Sequence, residues 1–258
     1  MTSRMPVLFI GHGSPMNAIE DNEFSHAWTA IGKDLPHLTA VLCISAHWES
    51  EGSRVTAMEK PKTIYDFSGF PPELYAKHYP ASGSPELAQR VQELAKPAII
   101  GMDQQWGLDY GTWSVLTRLF PKADVPVVQF SLDVNKNPQQ HYELGQQLIS
   151  LRDEGVLILG SGNIVHNLRV LNWDDSAFEW AKEYDDKVKQ WILEHDHKAI
   201  LDYHKHGQAA ALAINSAEHY KPLFYILGAA QAPEPIRFFT EKITMGSISM
   251  RSFQIGVS

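Results

Sequence analysis

Val7-Leu8-Phe9-Ile10-Gly11-His12-Gly13-Ser14-Pro15 is an apolar run that ends abruptly in a glycine-flanked histidine. A short continuous apolar run bounded by turn formers reads as a strand buried on both faces, and such strands belong to sheets covered by helices on either side. Ile44-Ser45-Ala46-His47-Trp48 repeats the arrangement, with an apolar run over 39–46 delivering a second histidine. Further buried strands are expected over 125–132 and 156–159, and shorter ones over 54–58 and 98–102.

Between these runs the apolar positions take the spacing of amphipathic helices. In 17–33, Phe24, Trp28 and Ile31 share a face. Ser84-Pro85 opens another helix, the serine capping free amides and the proline sitting where a missing N–H costs nothing. Helices are also expected over 111–120, 138–152 and 176–194. A strand is expected over 223–227, and one or two closing strands within 243–255. Strands alternating with helices along the whole chain predict an α/β fold, a single domain with a mostly parallel or mixed central sheet and helices on both faces. Residues 59–84 interrupt the pattern with Pro61, Pro71, Pro72 and Pro80 among Tyr65, Phe67, Phe70, Tyr75 and Tyr79. So many rings need a surface to bury against, so this long loop is expected to wall a pocket.

Composition narrows the partners. The 258 residues are 44% hydrophobic, enough for one large core. A net charge of -8 without a Lys/Arg run excludes nucleic acid and anionic membranes, which need a basic face, and leaves a small-molecule substrate. Cys43 is the only cysteine, so no intrachain disulfide forms; its place in an apolar strand reads as inert core. With no apolar signal core and no run of membrane-span length, a cytoplasmic location is expected.

Four histidines stand where a sheet meets a loop: His12, His47, His166 and His219. Any one of them alone reads as a hydrogen-bonded residue at the rim of the core. His12, His47 and His166, however, follow strands whose carboxyl ends share one edge if the strands are parallel, and that edge is where α/β sheets bind ligands. Imidazole is the commonest ligand for transition metals, so a metal site is expected there. The third ligand is His219 or Glu218, since adjacent helical residues point about 100° apart and only one faces the metal; His219 is preferred. His166 is then a general acid/base or a fourth ligand.

Other polar clusters carry less. His195, Asp196, His197, His204 and His206 fall on no single face and read as solvated surface. Gly160-Ser161-Gly162-Asn163 lacks the spacing of a phosphate fingerprint, and Ser14-Pro15 does not fit a nucleophile elbow.

Taken together, Gly11-His12-Gly13-Ser14-Pro15, Ser45-Ala46-His47-Trp48, Asp66-Phe67-Ser68-Gly69-Phe70-Pro71, Trp106-Gly107-Leu108-Asp109-Tyr110-Gly111, Ser161-Gly162-Asn163-Ile164-Val165-His166-Asn167 and Glu218-His219-Tyr220 resemble the motifs of the class III extradiol ring-cleavage dioxygenases. The resemblance covers nearly the whole chain and is strongest to the 4,5-DOPA extradiol dioxygenase group. It implies a single catalytic domain over 1–258 that opens a catechol such as DOPA with O2 to a muconic semialdehyde. It further implies one divalent metal, Fe(II) for ring cleavage or Zn(II) as found, held by His12, His47 and His219, with His166 as acid/base or fourth ligand. The family commonly has a histidine where this chain has Tyr110, in a segment that contacts substrate. Tyrosine still donates a hydrogen bond but carries protons poorly near neutral pH. The competing readings are a zinc hydrolase on the same histidines and a non-catalytic binding protein on the same fold.

Overall fold

The apolar runs become neighbouring strands in the computed structural model, which describes residues 4–174 and 176–256. The strands are β1 (Val7–Gly11), β2 (Ala40–Ser50), β3 (Arg54–Thr56), β4 (Gly101–Asp103), β5 (Val127–Asp133), β6 (Val156–Gly162), β7 (Ile236–Phe239), β8 (Ile243–Thr244), β9 (Ile248–Ser249) and β10 (Ser252–Ile255). Among the described residues, eight of them form one mixed sheet in the order β4-β3-β5-β2-β6-β1-β10-β7, while β8 and β9 pair separately. The central strands β5, β2, β6 and β1 are parallel, and β10 and β7 extend the sheet antiparallel at one side.

Alternate side chains of each central strand leave opposite faces, which is why the runs are apolar throughout rather than alternating. Phe9, Leu42, Ile44 and Ile158 enter one layer, packed under the helices Pro85–Leu94, Pro138–Gln147, Glu179–Leu193 and Lys221–Ala229. Leu8, Ile10, Val41, Cys43 and Leu159 enter the other, against Trp28 and Ile31 of the helix Glu23–Asp34 and Trp113 and Leu116 of the helix Tyr110–Leu119. The fold is therefore α/β, with helices on both faces. Ser84 accepts from the Leu87 amide, as expected of its cap. Cys43 is fully buried and free.

Several elements differ from expectation: three short strands rather than one or two lie within 243–255, and the helix expected over 138–152 ends at Gln147, before the 3-10 turn Ile149–Arg152. Residues 223–227 belong to the helix Lys221–Ala229 rather than to a strand. This helix is buried on every side, so its apolar run has no polar face to reveal the helical period, and Pro222 in its first turn was the one local signal. The first helix begins at Glu23, because Asn22 caps the Phe24 and Ser25 amides; Pro15–Ala18 forms a separate 3-10 turn. The strand β7 had no counterpart in the sequence reading; only Ile236 and two phenylalanines mark it, beside Arg237. Among the described residues, no helix is long and apolar enough to cross a membrane.

Candidate active site

Parallel pairing of β1, β6 and β2 puts their carboxyl ends on one edge, and the histidines gather there. His12 directly follows β1. Its backbone is held from both sides, its amide donating to the Gly162 carbonyl and its carbonyl accepting from Asn17 Nδ2. His47 sits inside β2, where the register against β5 slips between Ile44 and Glu49. Such an irregularity re-aims side chains at the end of a strand. His219 arrives on the turn before the helix Lys221–Ala229, and its carbonyl accepts from the Asn163 amide at 2.8 Å. That close approach is possible because residue 162 is glycine: a Cβ there would run into the His219 carbonyl. Gly162→Ala is accordingly expected to displace His219, lowering stability by about 1–3 kcal/mol. Thermal unfolding together with metal content checks this; unchanged values in both would contradict it.

The glycines around His12 serve a neighbour. A side chain at Gly11 would strike the Met250 backbone and one at Gly13 the Met250 sulfur, and Gly13 also turns through a positive φ of 55°. Met250 sets the limit on space there.

Each of three imidazoles has its Nδ1 committed elsewhere. The Ser161 hydroxyl donates to the Gly111 carbonyl, so its oxygen accepts from His12 Nδ1–H at 3.0 Å. His47 Nδ1 donates to Asp66 Oδ2 at 2.9 Å, and His219 Nδ1 to Glu218 Oε1 at 3.0 Å. The lone pair of each ring is therefore left on Nε2. The His12 and His47 Nε2 atoms face each other 3.3 Å apart, and the buried His219 Nε2 has no protein partner. All three donor atoms lie within 4.8 Å of one another.

Converging buried lone pairs repel unless a cation lies between them. Bonds of ~2.1 Å to a shared metal ion place ligand nitrogens roughly 3 to 3.5 Å apart, the spacing found between His12 and His47. Burial, and then the charges of His47, His219 and His166, hold His12 well below the ordinary histidine range, so it stays neutral and able to bind metal. The donor set fits a divalent ion.

Glu218 faces His219 Nδ1, as the partner of the histidine. Glu218, His219 and His166 also form a second group of neighbouring donors. His166 lies four residues past the end of β6, its amide bound to the Ala213 carbonyl and its ring stacked on His219 at 3.5 Å and 9°. It is not in the His12–His47–His219 group. Burial, then His219, holds its pKa below the ordinary histidine value, so the ring rests neutral with a lone pair free to accept a proton. Tyr110 tilts over His47 with ring centroids 4.1 Å apart, and its amide donates to Asp66 Oδ1. Burial, then Asp66 and Asp109, pushes its phenol up, so the hydroxyl stays protonated and able to donate.

These groups open onto a cavity of about 520 Å³. His47, His166 and His219 are on its inner wall, while Phe67 and Phe70 of the aromatic loop, with Leu168, Leu171, Trp173 and Ile248, complete it. The expectation that the loop walls a pocket holds. The sequence reading did not single out Asp66 or Ser161 as site residues, although both lie in quoted motifs. A carboxylate or hydroxyl that fixes a ligand's tautomer is chosen by three-dimensional proximity, and no spacing rule finds it. Asp109, fully buried and bound by Ser45 Oγ at 2.7 Å and Gln129 Nε2 at 2.6 Å, caps the helix bearing Tyr110, a local signal that the sequence reading passed over.

The family model described as the catalytic LigB subunit of aromatic ring-opening dioxygenase matches residues 6–252. The chain belongs to this family. It is 47% identical to the 4,5-DOPA dioxygenase extradiol of Escherichia coli K12, across 99% of this chain and 96% of that protein. It is 38% identical to the 4,5-DOPA dioxygenase extradiol of Beta vulgaris, across 86% of this chain and 85% of that one. A crystal structure of an uncharacterized protein from Escherichia coli K12 superimposes with a TM-score of 0.86 at 44% identity, covering 98% of this chain and all of the other. As a ring-opening dioxygenase of this family, the chain takes a small aromatic substrate and O2 at a divalent metal.

Proposed function

We propose that the chain opens a catechol ring beside its hydroxyls, with both atoms of O2 entering a muconic semialdehyde, and that His12, His47 and His219 hold the metal. The observation that carries this is the set of three converging Nε2 atoms, two on buried rings and one on the half-buried His47, with every Nδ1 engaged by another side chain. DOPA, named in the relatives, is the first catechol to try. Iron(II) in this site supplies Lewis acidity toward the catechol oxygens and a path for electrons from ring to O2, which redox-silent zinc lacks. A cytoplasmic setting fits the single, buried, free Cys43.

The side chains divide the remaining work. Asp66, Ser161 and Glu218 fix the ring orientations and tautomers of the three ligands. His166, on the cavity wall and outside the group of three, takes the proton released when a catechol hydroxyl ionises and returns it as the ring opens. Tyr110 donates a hydrogen bond toward the substrate, and the aromatic loop excludes water. In His166→Ala, metal content is expected to stay near wild type while turnover falls by ~10²–10⁴-fold, the range of a lost acid/base. Metal analysis beside steady-state oxygen uptake decides; substantial metal loss would make His166 a ligand instead. Oxygen consumption also separates ring opening from hydrolysis, which uses none.

A further inference from the structure

Asp109 is a fully buried carboxylate with more hydrogen bonds than a helix cap requires. Its Oδ1 accepts from the Thr112 amide at 3.1 Å, which is the cap, and also from Ser45 Oγ at 2.7 Å; its Oδ2 accepts from Gln129 Nε2 at 2.6 Å. Each of these partners is fixed as a donor. The Ser45 oxygen already accepts from the His47 amide at 3.2 Å, and Gln129 Oε1 already accepts from the Asp109 amide at 2.9 Å. Three buried donors thus converge on one acceptor, a fully satisfied network of the kind that makes its surroundings rigid.

The two bonds beyond the cap tie the start of the helix Tyr110–Leu119 to two strands. Ser45 lies where β2 slips out of register with β5, and Gln129 lies on β5 beside Cys43. The contact is close: a Cβ on Gly111 would come within 2.6 Å of Ser45 Oγ and 2.9 Å of His47 Cδ2. Tyr110, between Asp109 and Gly111, has its ring 4.1 Å from that of His47 and edge-on to that of His12 at 5.4 Å. Asp66 holds the Tyr110 amide from the loop side.

We infer that Asp109 is a positioning residue for the substrate: through Ser45, Gln129 and the first turn of the helix it fixes Tyr110 against His47, so that the phenol donates to the same catechol the metal holds. The inference rests on the catechol-binding reading above and gives that site a residue touching neither substrate nor metal.

Anaerobic titration calorimetry of the iron(II)-loaded protein with L-DOPA reads this without turnover. Asp109→Asn keeps the size of the side chain but sets an NH2 group among donors, while Ser45→Ala removes the tie to β2 and leaves the cap whole. Both are expected to keep metal affinity within about threefold of wild type, short of the ~10–100-fold lost with an outer partner of a metal ligand. Both should weaken L-DOPA by about fivefold or more, and Tyr110→Phe by about tenfold, the size of one lost hydrogen bond. Coupling decides the matter. In the Tyr110→Phe background, neither Asp109→Asn nor Ser45→Ala should weaken L-DOPA further by more than about twofold, whereas a merely structural residue adds its full loss. Additive losses, wild-type L-DOPA affinity in both single variants, or wild-type affinity in Tyr110→Phe overturns the inference, as does a wild-type protein that binds no L-DOPA. Should Asp109→Asn fail to fold, Ser45→Ala carries the same comparison. Admitting oxygen to the same samples keeps the two readings apart. Coupled losses without oxygen uptake leave the positioning role standing and defeat ring opening, while uptake with additive losses does the reverse.

Discussion

His12→Ala is expected to reduce metal content to a small fraction of wild type and to abolish ring opening. Loss of an outer partner alone typically costs 10–100-fold in metal affinity, so Ser161→Ala and Asp66→Asn set a lower bound of roughly that size. Removing the ligand itself leaves His47 and His219 as two donors, and the loss exceeds ~10²-fold by the same scale. Stability should move in opposite directions with and without metal. The His12 and His47 Nε2 atoms face each other at 3.3 Å, so deleting one relieves repulsion in the metal-free protein, whereas the metal-bound protein loses the stabilisation that binding contributes. Competition with a chromophoric chelator, together with melting curves at both metal states, reads all of this. Wild-type metal affinity in His12→Ala would remove His12 from the centre.

Glu234→Ala is expected to cost about 3–5 kcal/mol of stability, the largest effect predicted away from the metal. Arg152 is fully buried where the 3-10 turn Ile149–Arg152 ends beside β6, and it ties three parts of the chain together. Its Nε donates to the Met5 carbonyl just ahead of β1, its Nη1 to the Ala229 carbonyl at the end of the helix that follows His219, and both Nη atoms to Glu234 at 2.6 and 2.8 Å. Without Glu234 the guanidinium is a buried charge with carbonyl partners only. In a chain of this size the melting temperature should fall by roughly 10 °C. Burial raises the Glu234 carboxyl, but the Arg152 hydrogen bonds outweigh it and hold the group below its ordinary value. Its contribution is therefore complete above the ordinary glutamate pKa near 4.3 and is lost as pH falls through the folded value. Urea midpoints at pH 7 and below pH 4 check both statements: the difference between wild type and Glu234→Ala should shrink in acid.

Much of this arrangement was legible because it depends on local signals. Apolar runs such as Val7–Ile10, short and bounded by turn formers, read as strands buried on both faces, and strands of that kind are mostly parallel and share a ligand-binding edge. His12, His47 and His166 were placed at that edge by this reasoning, and their positions in the structure follow it. Helical geometry allowed only one of His219 and Glu218 to face a metal without deciding which; in the structure the Glu218 carboxylate accepts from His219 Nδ1.

What could not be read depends on long-range packing. The helix Lys221–Ala229 looks like a strand because Leu223 to Leu227 are all buried, and burial on every side erases periodicity. Asp66 and Ser161 are ordinary polar residues until the fold sets them against His47 and His12, at separations of 19 and 149 residues along the chain.

The most direct test of the account is a single mixing experiment. Iron(II)-loaded protein is equilibrated anaerobically with L-DOPA or 4-tert-butylcatechol and then given oxygen, while oxygen uptake and visible absorbance are followed together. The account predicts uptake of one O2 per ring opened, with the yellow colour of a semialdehyde rising in step. Metal-loaded protein that binds these catechols yet consumes no oxygen and forms no yellow product would contradict it.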